Sequence, residues 1–295
     1  MTDEPAPLVL CFGEVLWDSL PSGRYPGGAP ANVAFHLRRL GVDAQLVSAV
    51  GTDAPGRELL DRLKEAGIGT EFVAVRPGPP TGLVRVTIGD GGSPRYEILA
   101  DAAWDRIELP PALCAAAPRV AAIVFGSLAQ RDDNNRTQLS RLRSMCTRAL
   151  QVFDVNLRPP FDATRLVMEL AAGADLLKTN EEEAARLLGE TADLETSARN
   201  LSARTGCPRV CITAGPRGAG LLLGDDWHFA RARPLEVRDT VGAGDAFLAA
   251  LVHGLIAPRG DPRATLERAC RLAEFVASRE GAMPAYVIAP EGGFR

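Results

Sequence analysis

An α/β fold, a mainly parallel sheet flanked by helices in three layers with a small β appendage, follows from three observations. Short apolar runs rich in branched side chains recur along the chain, helical patterns lie between them, and two segments break this rhythm by alternating apolar with polar or small residues. Continuous hydrophobicity marks strands buried on both faces, as in a parallel sheet. The strand-helix alternation then requires right-handed crossovers. At 295 residues the chain reads as a single domain, 1–295, able to bury about three quarters of its unfolded surface.

The run LVLCFG from Leu8 opens the sheet, and EVLWDSLPSGRYPGG has short-strand character before its glycines. In the following segment Val33, Ala34, Leu37 and Leu40 form one helical stripe, with Pro30 suited to the first turn. His36 and the pair Arg38 and Arg39 face solvent in this reading. QLVSAVG from Gln45 is the next core strand. TGLVRVTIG, at 81–89, alternates, and RYEILA follows across DGGSP, which predicts a hairpin with one wet face. Such a hairpin alone is only marginally stable, so segments of about 14–26 and 80–100 are expected to form a β lid over the ligand-binding edge. VAAIVFGSL from Val120, LQVFDVN from Leu150, ADLLKTN from Ala174 and RVCITAG from Arg209 supply further strands, with helices at 135–149, 163–172, 181–188 and 194–205. Ligands in such sheets bind at the C-terminal ends of the strands.

The formal net charge of −4 gives no footprint for nucleic acid or an anionic membrane. No apolar run reaches the roughly 18 residues that span a bilayer, and no basic segment precedes the first one, so a cytoplasmic location is expected. The cysteines at 11, 114, 146, 207, 211 and 270 lie in apolar runs without paired spacing and read as buried reduced thiols. His36, His228 and His253 are too dispersed for a histidine-rich metal site. Lysine stands only at Lys64 and Lys178.

The chemistry concentrates in DTVGAGDAF, at 239–247. Apolar residues surround the helix that follows GAG, which places it in the core. Its first N–H groups lack intrahelical acceptors, Gly242 and Gly244 leave room for a ligand, and the helix dipole favours an anion there. Asp245 beside such a site repels a phosphate unless it takes a proton from whatever attacks the phosphorus, and that points to a kinase. Taken alone, GAGD fits equally a carboxylate complementing the dipole. A dinucleotide fingerprint is disfavoured because Phe247 takes the place of the third glycine, and no Gly-Lys pair exists for a Walker loop. A second glycine site, YPGGAPANVAFHLRRLG, places Asn32 at a helix start, either for ligand hydroxyls or for a local backbone contact.

The pairing of GGAPANVAFHLRRLG with DTVGAGDAF resembles the two signatures of the ribokinase-like sugar kinases, the phosphofructokinase-B family, and the likeness runs from about Leu8 to Ala285. GEVLWDSLP and DVNLRPPF look most like fructokinases. The resemblance implies ATP and Mg2+, with K+ or a similar ion beside the anion hole bordered by Asp239. Asp245 is then the base, with Gly242, Ala243 and Gly244 the anion hole. Asp18, Gly27, Gly28 and Asn32 hold the sugar. Arg158 clamps the sugar or transferring phosphate. Asn180 and Glu183 serve magnesium and its water shell, and Lys178, a strand-end lysine, either approaches nucleotide phosphates or stands at the surface. Thr213, Gly215 and Gly218 lie near phosphate and ribose, and Ala277, Ser278 and Gly281 line the adenine pocket. Asp154, Asn156 and Arg158 alternate at a strand end and so can share one face. Tyr96 and Trp104 either pack over the sugar or under the hairpin. The implied reaction is phosphorylation of fructose by ATP to fructose 6-phosphate. The alternatives are 2-keto-3-deoxygluconate, ribose or a nucleoside as acceptor, or a non-catalytic sugar sensor. The partners implied are the sugar and ATP, with a homodimer through the lid edge.

Overall fold

The computed structural model describes residues 7–20, 23–88, 94–257, 260–289 and 292–295. β1 (Leu8–Phe12) leads into β2 (Leu16–Leu20), β3 (Gly23–Gly27) and helix α1 (Ala29–Arg39). β4 (Asp43–Gly51), α2 (Ala54–Glu65) and β5 (Gly69–Arg76) precede β6 (Gly82–Ile88) and β7 (Pro94–Ile98). Next come α3 (Ala112–Ala116), β8 (Val120–Gly126), α4 (Asp133–Met145), β9 (Leu150–Asp154), α5 (Thr164–Ala172), β10 (Leu176–Asn180), α6 (Glu181–Leu188) and α7 (Leu194–Thr205). β11 (Arg209–Thr213), β12 (Ala219–Leu223), β13 (Asp226–Ala230), α8 (Ala243–Leu255) and α9 (Pro262–Ala277) complete it.

Among the described residues the larger sheet has nine strands, in the order β13-β12-β11-β10-β9-β8-β1-β4-β5. Pairing is parallel from β5 to β11 and antiparallel only for β11 with β12 and β12 with β13. The chain leaves β1 toward β4 on one side and returns at β8 on the other, which makes the end of β1 a topological switch point. Both faces are covered. Val9 and Cys11 of β1 pack with α1, α8 and α9 through residues such as Leu37, Leu251 and Leu272, while Leu8, Leu10 and Phe12 join Leu139, Leu170 and Leu201 on the opposite face. A strand buried on both sides has no reason to alternate, and that is why LVLCFG reads as a continuous apolar run.

The smaller sheet runs β3-β2-β6-β7, with β2 and β6 parallel and the two outer pairs antiparallel. The turn in the β6-β7 hairpin, at 89–93, and the side chain of Tyr96 lie outside the described residues. Trp104 is fully buried beneath the Arg131 guanidinium, 4.1 Å from its ring centroid, with Ile98 of β7 in the same apolar cluster, so it packs under the hairpin side. Asp105 binds the same guanidinium through both oxygens at 2.8 Å.

Four expectations need correction. His36 is fully buried, because chain from the far C-terminal end roofs the polar side of α1: its Nε2 lies 3.0 Å from the Ala282 carbonyl and its Nδ1 3.1 Å from the Tyr286 hydroxyl. Arg38 and Arg39 do face solvent. Cys114 is exposed on α3, while the other five cysteines are buried, and all six are reduced. The strand carrying Asp154 stops there, and Asn156 has φ 39°, so the alternation does not continue to Arg158. The helix expected at 135–149 spans Asp133–Met145 because Asp132 caps it, accepting the Asn134 N–H at 2.9 Å.

Candidate active site

Two glycine-led helix starts meet at the C-terminal ends of the parallel strands. α1 packs along α8, and Asn32, in the first turn of α1, donates its side-chain N–H to Oδ2 of Asp245, in the first turn of α8, at 2.7 Å. The two motifs, 213 residues apart in sequence, are thereby one site. Asn32 is buried, and its Oδ1 has no partner among the described residues. A buried carbonyl oxygen left unpaired is costly, and a ligand hydroxyl would satisfy it.

The α8 side is shaped for an anion. Gly242 caps the helix at φ 76°, and a Cβ there would sit 2.5 Å from the Cβ of Ala282. The Ala243 N–H turns back toward the Thr240 carbonyl at 3.3 Å, so it is partly engaged before any ligand arrives. Gly244 is exposed, and its N–H lies within the turn that an α-helix cannot satisfy internally. Burial holds the Asp245 carboxyl above the usual carboxylate range, against the Asn32 hydrogen bond and the charges of Lys178 and Arg158. A base with raised affinity for a proton suits an alcohol donor.

On the acceptor side, Asp18 of β2 lies across Gly27 of β3 so closely that a Cβ on Gly27 would collide with the carboxylate. Gly28 has φ 108°, and a Cβ there would strike the Glu14 carbonyl. Burial pushes Asp18 up to about 6, while Arg158 opposes the shift. Arg158 is exposed and donates only to the neighbouring Leu157 carbonyl, at 3.2 Å, among the bonds described. Its charge reaches Glu14, Asp18 and Asp245 together. Sequence reasoning missed Glu14. It is buried, with Oε2 lacking a partner among the described residues, and the only sequence signal was a carboxylate following Gly13 inside an apolar run.

Lys178, expected near phosphates or at the surface, is buried on β10 and bonded to Asp154 Oδ1 at 3.0 Å. Asn180 and Glu183 form a capping box at the start of α6: Asn180 Oδ1 accepts the Glu183 N–H at 2.8 Å, and Glu183 Oε2 accepts the Asn180 N–H at 3.0 Å. Glu183 Oε1 also accepts the Leu157 N–H at 2.8 Å. These bonds leave lone pairs for a water but pin the carboxylate. Magnesium, a hard cation that keeps several waters, fits this pair through its water shell. Among the described residues no group of three or more His, Cys, Asp or Glu side chains is gathered to hold a metal directly.

The remaining expected residues lie on β11, in the turn after it and at the end of α9 and just beyond. Thr213 ends β11, with its hydroxyl 3.4 Å from the Thr179 carbonyl. Gly215 (φ 53°) and Gly218 (φ 112°) form the next turn, closed by Ala214 N–H to the Gly218 carbonyl at 2.8 Å. The Ala277 carbonyl accepts the Arg238 N–H at 2.9 Å, and Ser278 caps its own helix through the Phe275 carbonyl at 2.7 Å. Asp239 ties the two loops together, accepting the Val241 N–H at 2.9 Å and the Gly281 N–H at 3.0 Å.

Comparison with known proteins gives a consistent result. The family model described as pfkB family carbohydrate kinase matches residues 22–288. A putative sugar kinase of Pyrococcus horikoshii is 31% identical over 80% of this chain and 75% of its own length, and a fructokinase of Klebsiella pneumoniae is 31% identical over 83% of each. Among solved structures, the Pyrococcus horikoshii sugar kinase in complex with ATP superposes with TM-score 0.77 at 27% identity, covering 94% of both chains. Fructokinase from Vibrio cholerae with fructose, ADP and calcium gives TM-score 0.80 at 25% identity and 96% of both. Among the described residues, no helix is long and apolar enough to cross a membrane.

Proposed function

We propose, because this chain belongs to the pfkB family of carbohydrate kinases, that it phosphorylates fructose with ATP to give fructose 6-phosphate. The observation that carries the reading is the bond from Asn32 to Asp245, which sets a carboxylate between a hydroxyl-binding helix start and an anion-binding one. Fructose is favoured by the fructokinases among the relatives and by the fructose and ADP bound in the Vibrio cholerae enzyme.

Asp18 and Asn32 Oδ1 accept hydroxyl hydrogens of the sugar, and Gly27 and Gly28 give it room. As the 6-hydroxyl oxygen bonds to the γ-phosphorus, its proton passes to Asp245, the bond from that phosphorus to the β,γ-bridging oxygen breaks, and the electron pair leaves on ADP. The N–H of Gly244, the helix start and the Arg158 guanidinium meet the charge on the transferred group. Magnesium, held through water by Asn180 and Glu183, neutralises phosphate charge when bound. Potassium belongs beside Asp239 in this reading. Thr213, Gly215 and Gly218 take phosphate and ribose, and the 277–281 segment takes adenine. The smaller sheet, with about 14–26 and 80–100, is the lid over the sugar, and its β3 and β7 edges are where a second copy would pair.

A panel of sugars assayed with ATP and magnesium tests the reading. Fructose should give the highest kcat/KM. Ribose, 2-keto-3-deoxygluconate or a nucleoside exceeding it by about tenfold would reassign the acceptor, and sugar binding without ADP release would indicate a sensor.

A further inference from the structure

The phosphoryl-transfer chemistry makes no use of a buried ion pair that lies behind the acceptor side. Arg131 ends a short helical turn, Leu128–Arg131, that follows β8, and Asp105 lies in another, Ala103–Arg106, that follows β7. Their side chains are 8% and 5% exposed. Both Asp105 oxygens accept from the guanidinium at 2.8 Å, and its Nη2 also donates to the Leu99 carbonyl, at 2.8 Å, just past the end of β7. Asp105 Oδ2 accepts the Ala102 N–H at 3.0 Å, and the Ala103 N–H reaches the Pro80 carbonyl, at 2.7 Å, just before β6. The pair is thereby fastened to both chain ends of the β6-β7 hairpin.

Two paths lead from it to the acceptor groups. In the smaller sheet Asp18 is the register partner of Val84, and Val84 that of Ile98, so the three stand in one cross-strand row on one face of the sheet. With strands about 4.8 Å apart, Asp18 is about 10 Å across the sheet from the strand end that Arg131 holds. The second path runs through Phe161, which with Ile98 packs against the cluster containing Trp104. The Arg131 guanidinium stands over both rings, 4.1 Å from the Trp104 centroid and 4.4 Å from that of Phe161, and the Phe161 N–H donates to the Arg158 carbonyl at 2.8 Å. One cation therefore touches the strand end in line with Asp18 and the turn that begins at Arg158, whose own charge acts on Asp18.

Stability alone does not call for such a pair, because well-packed apolar residues often serve as well as a buried ion pair. Here Arg131 Nη1 is buried with no partner among the described residues, a cost that an apolar side chain would avoid. What the guanidinium adds is a planar fork that fixes direction. We propose that Arg131, locked by Asp105, is a positioning residue that sets the distance between Asp18 and Arg158 and so the fit of the acceptor sugar. The inference rests on the kinase reading. Asp18 belongs to the smaller sheet and Arg158 follows a strand of the larger one, and a displacement of about 1 Å between groups that hold a reactant can cost about 10²-fold in rate.

The test compares R131K, R131M, D105N and R131M/D105L. Each is measured for thermal unfolding and for kinetics with ATP, magnesium and fructose, or whichever sugar of the panel the unmodified protein phosphorylates most efficiently. R131M and D105N each leave a buried charge unpaired and should lower the unfolding midpoint, whereas R131M/D105L should recover it. In that double variant kcat/KM for the sugar should nevertheless fall by about 10 to 10²-fold, with KM for ATP within about twofold. R131K keeps the charge and loses the fork, so it should fold normally and lose about tenfold for the sugar; it carries the test by itself if the other variants do not fold. Adding R158M should shrink the loss caused by R131M/D105L, since part of that loss runs through Arg158. Sugar kinetics that recover together with stability in the double variant, equal losses for sugar and ATP, full additivity with R158M, or an R131K protein with unmodified kinetics would overturn the proposal while leaving the kinase reading in place. Unmodified protein that phosphorylates no sugar of the panel would remove the kinase reading and this inference with it.

Discussion

Asn32 and Asp245 are joined by a 2.7 Å hydrogen bond in which the amide donates and the carboxylate accepts. The bond fixes which oxygen of Asp245 is occupied and which is open to a substrate. It also leaves Asn32 Oδ1 buried with nothing to accept from among the described residues. One side chain therefore orients the base and offers a place for the acceptor alcohol.

The first prediction follows from that double role. D245N should lower kcat by about 10² to 10⁴-fold without loss of thermal stability, since it removes a charge that burial disfavours. N32A should lower kcat by about tenfold and raise KM for the sugar, with KM for ATP unchanged. N32D places a second carboxylate against the first, and two like charges at this distance share one proton. It should therefore be worse than N32A at neutral pH in steady-state assays. N32D turnover within a few-fold of the unmodified protein would show that this bond does not orient the base.

The architecture was legible because β1 and its neighbours carry their hydrophobicity on both faces, a local property of the chain. Glycines at 28 and 242 were legible for a similar reason, since each stands where φ is positive and another backbone crowds in. What escaped was set by approach between distant segments. His36 reads as a polar position on an amphipathic helix, and only residues 282–286 make it a buried one. Lys178 reads as a strand-end lysine, and its counterion comes from the adjacent strand by parallel register. Glu14 has only its place after Gly13 in an apolar run to mark it, because the Ala29 N–H and the charges of Arg158 and Asp245 that act on it come from distant segments.

Glu14 gives the second prediction. Burial is the largest influence and, with the Asp245 charge adding to it, pushes the carboxyl from 4.5 up to about 7, despite hydrogen bonds from its own N–H and that of Ala29 and the charge of Arg158. A carboxyl whose affinity for protons is higher folded than unfolded favours the folded state at low pH, and that contribution is lost as pH rises from about 4.5 to 7. In urea titrations of ligand-free protein, E14Q should gain about 2–3 kcal/mol relative to the unmodified chain between pH 5 and 8. A difference between the two that stays constant across this range would show that Glu14 is already charged in the folded protein at pH 5.

His36 supplies a contribution of the opposite sign. The Ala282 carbonyl can only accept, so Nε2 carries the hydrogen and Nδ1 accepts from Tyr286. Burial, with Arg39 adding to it, lowers the imidazole from 6.5 to about 4 although the Ala282 bond works the other way. The unfolded chain thus binds a proton that the folded one refuses, so this group's stabilisation is present above about 6.5 and lost as pH falls through 4. Over the shared window Glu14 lowers stability with rising pH while His36 raises it, each by up to about 3 kcal/mol, and the unmodified protein has the flatter profile of a partial cancellation. Relative to it, H36Q should slope more steeply downward from pH 4.5 to 6.5, and E14Q upward. Parallel profiles for the three proteins in urea titrations would mean that neither group changes its protonation on folding. The functional weight falls on His36, because Ala282, whose carbonyl it holds, is the residue packed against Gly242 at the anion-binding helix start. H36Q should accordingly weaken ADP binding at pH 7, where the imidazole of the unmodified protein is neutral and its bond intact.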